Sequence, residues 1–324
     1  MREVETPKPR VGEVLVQVAY CGICGTDYHI YRGEFLSPYP LVPGHEFSGT
    51  VCAIGPDAEG WSVGDRVTVD PSLFCGHCYY CQRRHWNHCA HWGALGNTVD
   101  GAFAEYVRVP VRNLHRVPDG MSLLDAAFTE PLACVVWGLE RLRVFPGDRV
   151  LLFGAGAIGC LWTQGLALTQ ASLVAVVDIA EEKLRMARTL GAMETYQSGP
   201  DLETRLLSRT DGHGFDVVVD ATGVPSVIQA MFRFAGKRAR ILQFGVAPAQ
   251  AEIVLRPFDV YHNDWEIIGS MAVNYTMAQA LDLLASGRIR VSPLATRQEG
   301  LAALPAILGA PKPAGEMKTF ICPS

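Results

Sequence analysis

Little of this chain is charged. Lys, Arg, Asp and Glu make up 19% of its 324 residues, and the formal net charge is −5. No lysine/arginine block stands out, which argues against nucleic acid or an anionic membrane surface as a partner. No apolar run approaches the ~20 residues that a membrane-spanning helix needs. The opening Met1-Arg-Glu-Val-Glu-Thr-Pro is polar and lacks the apolar core of a secretory signal. There is no low-complexity segment and no true repeat. Gly64-Asp-Arg-Val67 returns as Gly147-Asp-Arg-Val150, but each reads as a turn feeding a strand. An apolar content of 49% is ordinary for a soluble globular chain, and the length fits two domains. Ten cysteines without a secretory signal point to metal binding rather than disulfides, and to the cytosol.

Four of those cysteines are clustered. Cys75-Gly-His-Cys78-Tyr-Tyr-Cys81 is followed seven residues later by Cys89. Two-residue gaps let a tight turn aim successive thiolates at one point. Four thiolates in a tetrahedron suit Zn²⁺ and make a closed, structural site. His85, His88 and His91 surround Cys89 but read as lobe-surface residues. Cys21, Cys52, Cys134, Cys160 and Cys322 read as packing thiols. Trp92 either packs or faces a substrate.

The organisation changes along the chain. Residues 11–20 alternate apolar and polar as a half-buried strand does, and β-like runs follow at 49–54, 65–69 and 104–109. From 122 to 142 the pattern is helical, with Pro131 as a break or a start. Strands at 150–153, 173–178, 215–220, 239–244 and 266–269 then alternate with helices at 158–169, 181–190 and 227–234. Continuous apolar strands between helices predict an α/β, doubly wound parallel sheet. The segment after about 285, with prolines from 305 to 313, is too short to be a domain of its own.

Gly154-Ala155-Gly156-Ala157-Ile158-Gly159 follows the strand at 150–153 and opens a helix. In that context the first glycine permits the turn, the second lets backbone approach a pyrophosphate, and the third lets helix and strand pack closely. The phosphates would meet the helix N-terminus. Asp178 ends the next strand, nineteen residues past Gly159. Its carboxylate can accept both ribose hydroxyls and would repel a 2′-phosphate. Ile179 and Ala180 bring no cation, so the pattern favours NAD over NADP.

Cys21-Gly-Ile-Cys24-Gly-Thr26-Asp27-Tyr-His29 and Pro43-Gly44-His45-Glu46 form a second constellation. A thiolate, an imidazole and nearby carboxylates give Zn²⁺ three protein ligands and an open position. Spacing leaves open whether Cys21 or Cys24 is the ligand. Asp27 reads as a carboxylate orienting the imidazole or as a helix cap.

These segments, together with the cysteine lobe, Glu130-Pro131-Leu132 and the glycine turn, resemble the zinc-dependent medium-chain dehydrogenase/reductase family over nearly the whole chain. The resemblance implies a GroES-like, mostly β catalytic domain at 1–135, a Rossmann domain at 136–280 and a return to the catalytic domain at 281–324, with the active site in the cleft. It also implies two zincs per chain and a homo-oligomer, tetramer or dimer. Within the site it implies Cys24 and His45 as zinc ligands, with Glu46 and Glu130 binding the metal or sitting just behind it. Thr26 and His29 match a proton relay. Lys183, Thr222, Gly223, Phe244, Gly245 and Val246 match positions beside the cofactor. Family members carry a further strand before the segment that matches here, which implies either a trimmed catalytic-domain edge or a start site placed late.

Glu130 and the run Tyr28-His29-Ile30-Tyr31-Arg32-Gly33-Glu34-Phe35 are similar to the polyol dehydrogenases of the sorbitol and arabitol branch. That implies oxidation of a polyol secondary alcohol to a ketone. L-Threonine 3-dehydrogenation and cyclitol or aminocyclitol oxidation are the alternatives within the family. A non-catalytic NAD(H)-binding protein is the alternative outside it.

Overall fold

The computed structural model describes residues 1–35 and 37–323. The chain divides into two compact units, Met1–Ala133 with Ala272–Ser324, and Cys134–Met271. The return to the first unit comes at 272, ahead of the expected 281. Thr276 Oγ1 donates to the Ala133 carbonyl at 2.6 Å, and the helix Met277–Ala285, apolar on one side, packs beside Leu123–Ala126. Among the described residues, no helix is long and apolar enough to cross a membrane.

The first unit is organised by one strand. Glu13–Gly22 buries Val14, Val16 and Val18 on one face, as its alternating sequence dictates. It pairs antiparallel with Glu46–Ile54, with Tyr106–Pro110 and with Lys318–Cys322. Glu46–Ile54 continues the sheet to Arg66–Val69 and Leu114–Arg116, while Lys318–Cys322 carries Ala295–Gly300 in parallel. Phe47, Val51, Val67, Val107 and Ile321 complete the core. Each fully buried Val or Phe of this kind contributes about 1.5–3 kcal/mol. The helical stretch expected over 122–142 is two helices, Leu123–Ala126 and Thr129–Leu142. Ser122 caps the first, and Pro131 falls in the first turn of the second, where no N–H is needed.

In the second unit six strands form a wholly parallel sheet. Their order is Glu194–Gln197, Leu173–Asp178, Arg149–Phe153, Phe215–Asp220, Ala235–Gln243, Glu266–Gly269. This is the doubly wound Rossmann arrangement. Chain order reverses between Arg149–Phe153 and Phe215–Asp220, and such a switch point opens a crevice at the strand ends. Val150, Leu151 and Leu152 are fully buried, as a sheet covered on both faces requires. The strand Glu194–Gln197 and the helices Leu202–Arg209 and Pro257–Asn263 were not expected. The strand is polar because it lies at an edge with one neighbour. Each helix is short and mostly polar or exposed, so neither shows a long apolar stripe. Buried Arg240 pairs with Asp148 at 2.8 Å and donates to the carbonyls of Leu142 and Arg143, closing the end of Thr129–Leu142 with positive charge.

One acid in the first unit ties stability to pH. Asp70 accepts the Ser72 N–H at 2.8 Å, and Asn113 donates to the carbonyls of both residues. Burial pushes the Asp70 carboxyl up to about 6. A raised acid contributes its full stability below its unfolded value near pH 4 and loses it as pH climbs through about 6. Asp70→Asn should therefore gain about 1–3 kcal/mol on the parent between acid and neutral pH. Denaturant titrations of both proteins across that range measure it. Parallel pH curves would sink the assignment.

Candidate active site

His45 is placed by backbone. Gly44 takes a left-handed φ of +96°, and residues 101–103 clamp the loop before it. Gly101 N–H donates to Val42 (2.7 Å), Ala102 N–H to Gly44 (2.8 Å) and Phe103 N–H to Pro43 (2.9 Å). Asp100 accepts the Val42 N–H at 2.9 Å. A Cβ at Gly96 or Gly101 would overlap the Gly44 carbonyl, so both glycines are needed for the close approach. The clamp was missed in the sequence. Its signal was the Asp100-Gly101 turn pair before an apolar run.

Cys24 precedes the helix Gly25–Tyr31, and its N–H donates to Asp27 Oδ2 at 2.7 Å. Asp27 Oδ1 faces His45 Nδ1 at 3.7 Å, so this buried carboxylate both caps the helix and confronts the ring. The Cys24 thiol also acts on the ring. Donor atoms of Cys24, His45 and Glu46 all lie within 4.8 Å of one another. Cys21 is fully buried and outside that set, so Cys24 is the cysteine grouped with His45 and Glu46. Glu130 is also outside it, but its charge still acts on His45.

Burial alone would depress the His45 imidazole. Asp27, Cys24 and Glu130 more than offset this and hold its pKa well above the usual histidine value. Glu46 pairs with Lys318, a buried lysine in the strand Lys318–Cys322. Burial lowers the Lys318 ammonium, but Glu46, Cys24 and Asp27 carry it above its ordinary value. Lys318 was another omission, although a lone lysine in Met317-Lys-Thr-Phe-Ile-Cys322 was a visible signal. A pocket richer in buried carboxylates and thiol than in cations, with donor atoms of Cys24, His45 and Glu46 converging on one point, fits a divalent cation.

The four lobe cysteines converge as their spacing predicts. Cys89 Sγ lies 3.6 Å from Cys75 Sγ and 3.9 Å from Cys78 Sγ. All four belong to one donor cluster, without a histidine. N–H groups of Cys75, Ala90 and His91 point at the sulfurs from 3.3–3.5 Å. Hydrogen bonds from Ala90 and Cys81 hold the Cys78 thiol down to about 6, whereas burial pushes Cys81 up to about 12. Such a donor set suits zinc.

Thr26 Oγ1 lies 3.8 Å from Cys24 Sγ. His29 sits three residues on, one helical turn away on the same side. In the second unit Gly154 is left-handed at φ +101°, and Gly156 caps the helix Ala157–Ala167. A Cβ at Gly159 would overlap the Gly154 carbonyl. Asp178 closes its strand, accepting N–H groups from Ala155 (2.7 Å) and Ala180 (2.9 Å). Lys183 lies in the first turn of Glu181–Thr189, and both it and Asp178 act on the buried Cys160 thiol.

Residues 10–119 match the family model for the alcohol dehydrogenase GroES-like domain, and residues 157–286 that for zinc-binding dehydrogenase. D-arabinitol dehydrogenase 1 of Uromyces fabae is 35% identical over 88% of this chain and 82% of its own. The chain belongs to the zinc-dependent medium-chain dehydrogenase/reductase family. Within it, the chain falls in the polyol dehydrogenase-like branch and is an oxidoreductase acting on CH–OH groups. Two solved structures share the fold. A putative zinc-binding dehydrogenase from Sinorhizobium meliloti 1021, bound to NADP, has a TM-score of 0.94 and 33% identity, covering 99% of this chain and 95% of that one. A structure described as a short chain alcohol dehydrogenase, rspB, from Escherichia coli CFT073 with NADH has a TM-score of 0.89 and 30% identity, covering 99% and 94%.

One further residue of the dehydrogenase escaped the sequence reading. Asp220 is fully buried and takes hydrogen bonds from Thr222 N (3.0 Å), Thr222 Oγ1 (2.6 Å), Gly223 N (3.1 Å) and Gln243 Nε2 (3.2 Å). Its carbonyl accepts from Phe244 and Gly245. It thereby ties the turn 221–223 to the turn 244–246, where a Cβ at Gly223 or Gly245 would strike the opposite turn. Phe244 meets Trp162 edge-on at 5.2 Å, and Val246 is exposed. Asp220→Ala leaves buried N–H groups without an acceptor, each worth about 1–3 kcal/mol. The variant should melt lower and bind dinucleotide about tenfold more weakly, as nucleotide titration by fluorescence would report. Unchanged affinity would refute the coupling of the two turns.

Proposed function

We propose that this dehydrogenase uses NAD to oxidise a secondary alcohol of a polyol to a ketone. The convergence of Cys24, His45 and Glu46, with Glu130 acting on the same imidazole, carries the reading. In the proposal these residues hold one zinc, and Cys75, Cys78, Cys81 and Cys89 hold a second that braces the lobe. Zinc at the first site supplies a Lewis acid that makes an alcohol hydroxyl more acidic. NAD supplies the hydride acceptor. Thr26 would take the hydroxyl proton while passing its own onward, and His29 would hand a proton to water. Glu130 orients the substrate side of the metal, and Asp27 holds the tautomer and angle of His45.

On the cofactor side, Gly154, Gly156 and Gly159 admit the pyrophosphate at Ala157 and Ile158, and Asp178 takes the ribose hydroxyls. Lys183, Thr222, Gly223, Phe244, Gly245 and Val246 line the remainder. NAD is favoured because no cation follows Asp178 directly in sequence. The polyol class is favoured by a carboxylate at position 130. The reduced thiols of the lobe favour the cytosol.

Zinc-loaded protein should reduce NAD at 340 nm with sorbitol, xylitol or arabitol, and a chelator should abolish this. Metal analysis should give two zincs per chain, and NADP should serve less well than NAD. Glu130→Ala should lower kcat about tenfold or more. Turnover of L-threonine or a cyclitol alone would move the substrate within the family, and full activity of Glu130→Ala would remove that residue's role.

The proposed assembly is a homo-oligomer. Glu266–Gly269 is the outer strand of its sheet, with Ile267 exposed, and the helix Pro257–Asn263 exposes Phe258 (66%) and Tyr261 (83%). An open apolar edge of this kind seeks a partner strand. Sedimentation should show a dimer or tetramer that Ile267→Lys weakens; a monomeric parent would contradict it.

A further inference from the structure

The chain after the helix Gly25–Tyr31 turns back on His29. Arg32 keeps a helical conformation, and Gly33 is left-handed at φ +73°. Glu34 then returns twice. Its N–H donates to the His29 carbonyl at 2.8 Å, and its carboxylate Oε2 meets His29 Nδ1 at 2.8 Å. The His29 side chain is 20% exposed, so the contact sits at the rim of the fold rather than in free solvent.

An ionised carboxylate only accepts hydrogen bonds, so at this contact Nδ1 carries the proton. In a neutral ring the acceptor is then Nε2. An unrestrained neutral imidazole prefers the opposite arrangement, with the proton on Nε2 and no acceptor there. We infer that Glu34 is a positioning residue for the proton relay: it fixes the His29 tautomer that leaves Nε2 free to receive a proton. The inference rests on the dehydrogenase reading above, in which Thr26 takes the substrate proton and His29 passes it on.

The surroundings suit that role. A depression of about 310 Å³ opens beside His29, lined also by Tyr28, Arg32, Lys312 and Glu316. Lys312 donates to the Met317 carbonyl, and Glu316 is held by Thr319 and Arg297. Asp27, on the same helix, is committed to Cys24 and His45. The proton balance closes if Thr26 gives up its own hydroxyl proton as it takes the substrate's. A proton then reaches Nε2, the ring becomes an imidazolium beside Glu34, and water in the depression removes a proton again.

Imidazole ¹⁵N spectra of the zinc-loaded protein test this directly. His29 should show the Nδ1–H tautomer, and Glu34→Ala should shift it towards Nε2–H. In turnover, Glu34→Ala should lower kcat about tenfold and leave KM close to the parent's, since the loss falls on proton transfer. Glu34→Gln, whose amide oxygen still accepts from Nδ1, should recover most of the rate. In a His29→Ala background, Glu34→Ala should cost nothing further. An Nε2–H tautomer in the parent, or equal losses from Glu34→Ala in both backgrounds, would overturn the inference. The spectrum needs no turnover, so a protein silent on every alcohol would sink the functional reading while the role of Glu34 was still decided.

Discussion

Asp27, Glu46 and the Cys24 thiol crowd one buried imidazole, Glu130 acts on it from nearby, and Lys318 is set against Glu46. Withdrawing an ion from water costs several kcal/mol even after the protein relaxes, so such a cluster needs compensation. Part comes from Lys318 and part from the Cys24 N–H on Asp27. A divalent cation, as proposed for this site, would offset the rest. The strand Glu13–Gly22 leads into Cys24, its neighbour Glu46–Ile54 begins at Glu46, and another of its neighbours starts at Lys318. The glycine clamp then fixes His45. Much of the first unit's architecture follows from bringing these charges to one point and holding them there.

The second unit meets a different constraint with different means. A pyrophosphate needs backbone N–H groups and room, not opposing side chains, so glycines dominate where it would approach. Asp220 stands behind the neighbouring turns as a fully buried acceptor, giving them rigidity without contributing a side chain to their surface. Substrate choice among polyols is a finer matter, because one methylene shifts discrimination by only about 1–3 kcal/mol.

What could be read from sequence follows the range of the interaction involved. The lobe cysteines, the glycine turn and Asp178 are encoded by spacing within one turn or one strand, and each is found where that spacing puts it. The strands Leu173–Asp178 and Phe215–Asp220 are continuous apolar runs and were equally plain. Lys318 was hidden because its partner lies at Glu46, far away in sequence. Gly96 and Gly101 were hidden because the atom they make room for belongs to Gly44. The edge strand Glu194–Gln197 carries no apolar signature, since only one neighbour covers it. Domain borders shifted for the same reason: the contact of Thr276 with Ala133 has no local mark.

The first unit is made of two separated stretches of chain, with the second unit between them. During synthesis, residues 134–271 leave the ribosome with every strand of their sheet in hand. The earlier stretch does not have that advantage. Its organising strand waits for the partner at Lys318–Cys322, and Glu46 waits for its counter-charge. Domains fold as units as they emerge. The second unit can therefore be in place while the first still has an open sheet edge and an uncompensated carboxylate, and both are closed by residues that emerge after the second unit.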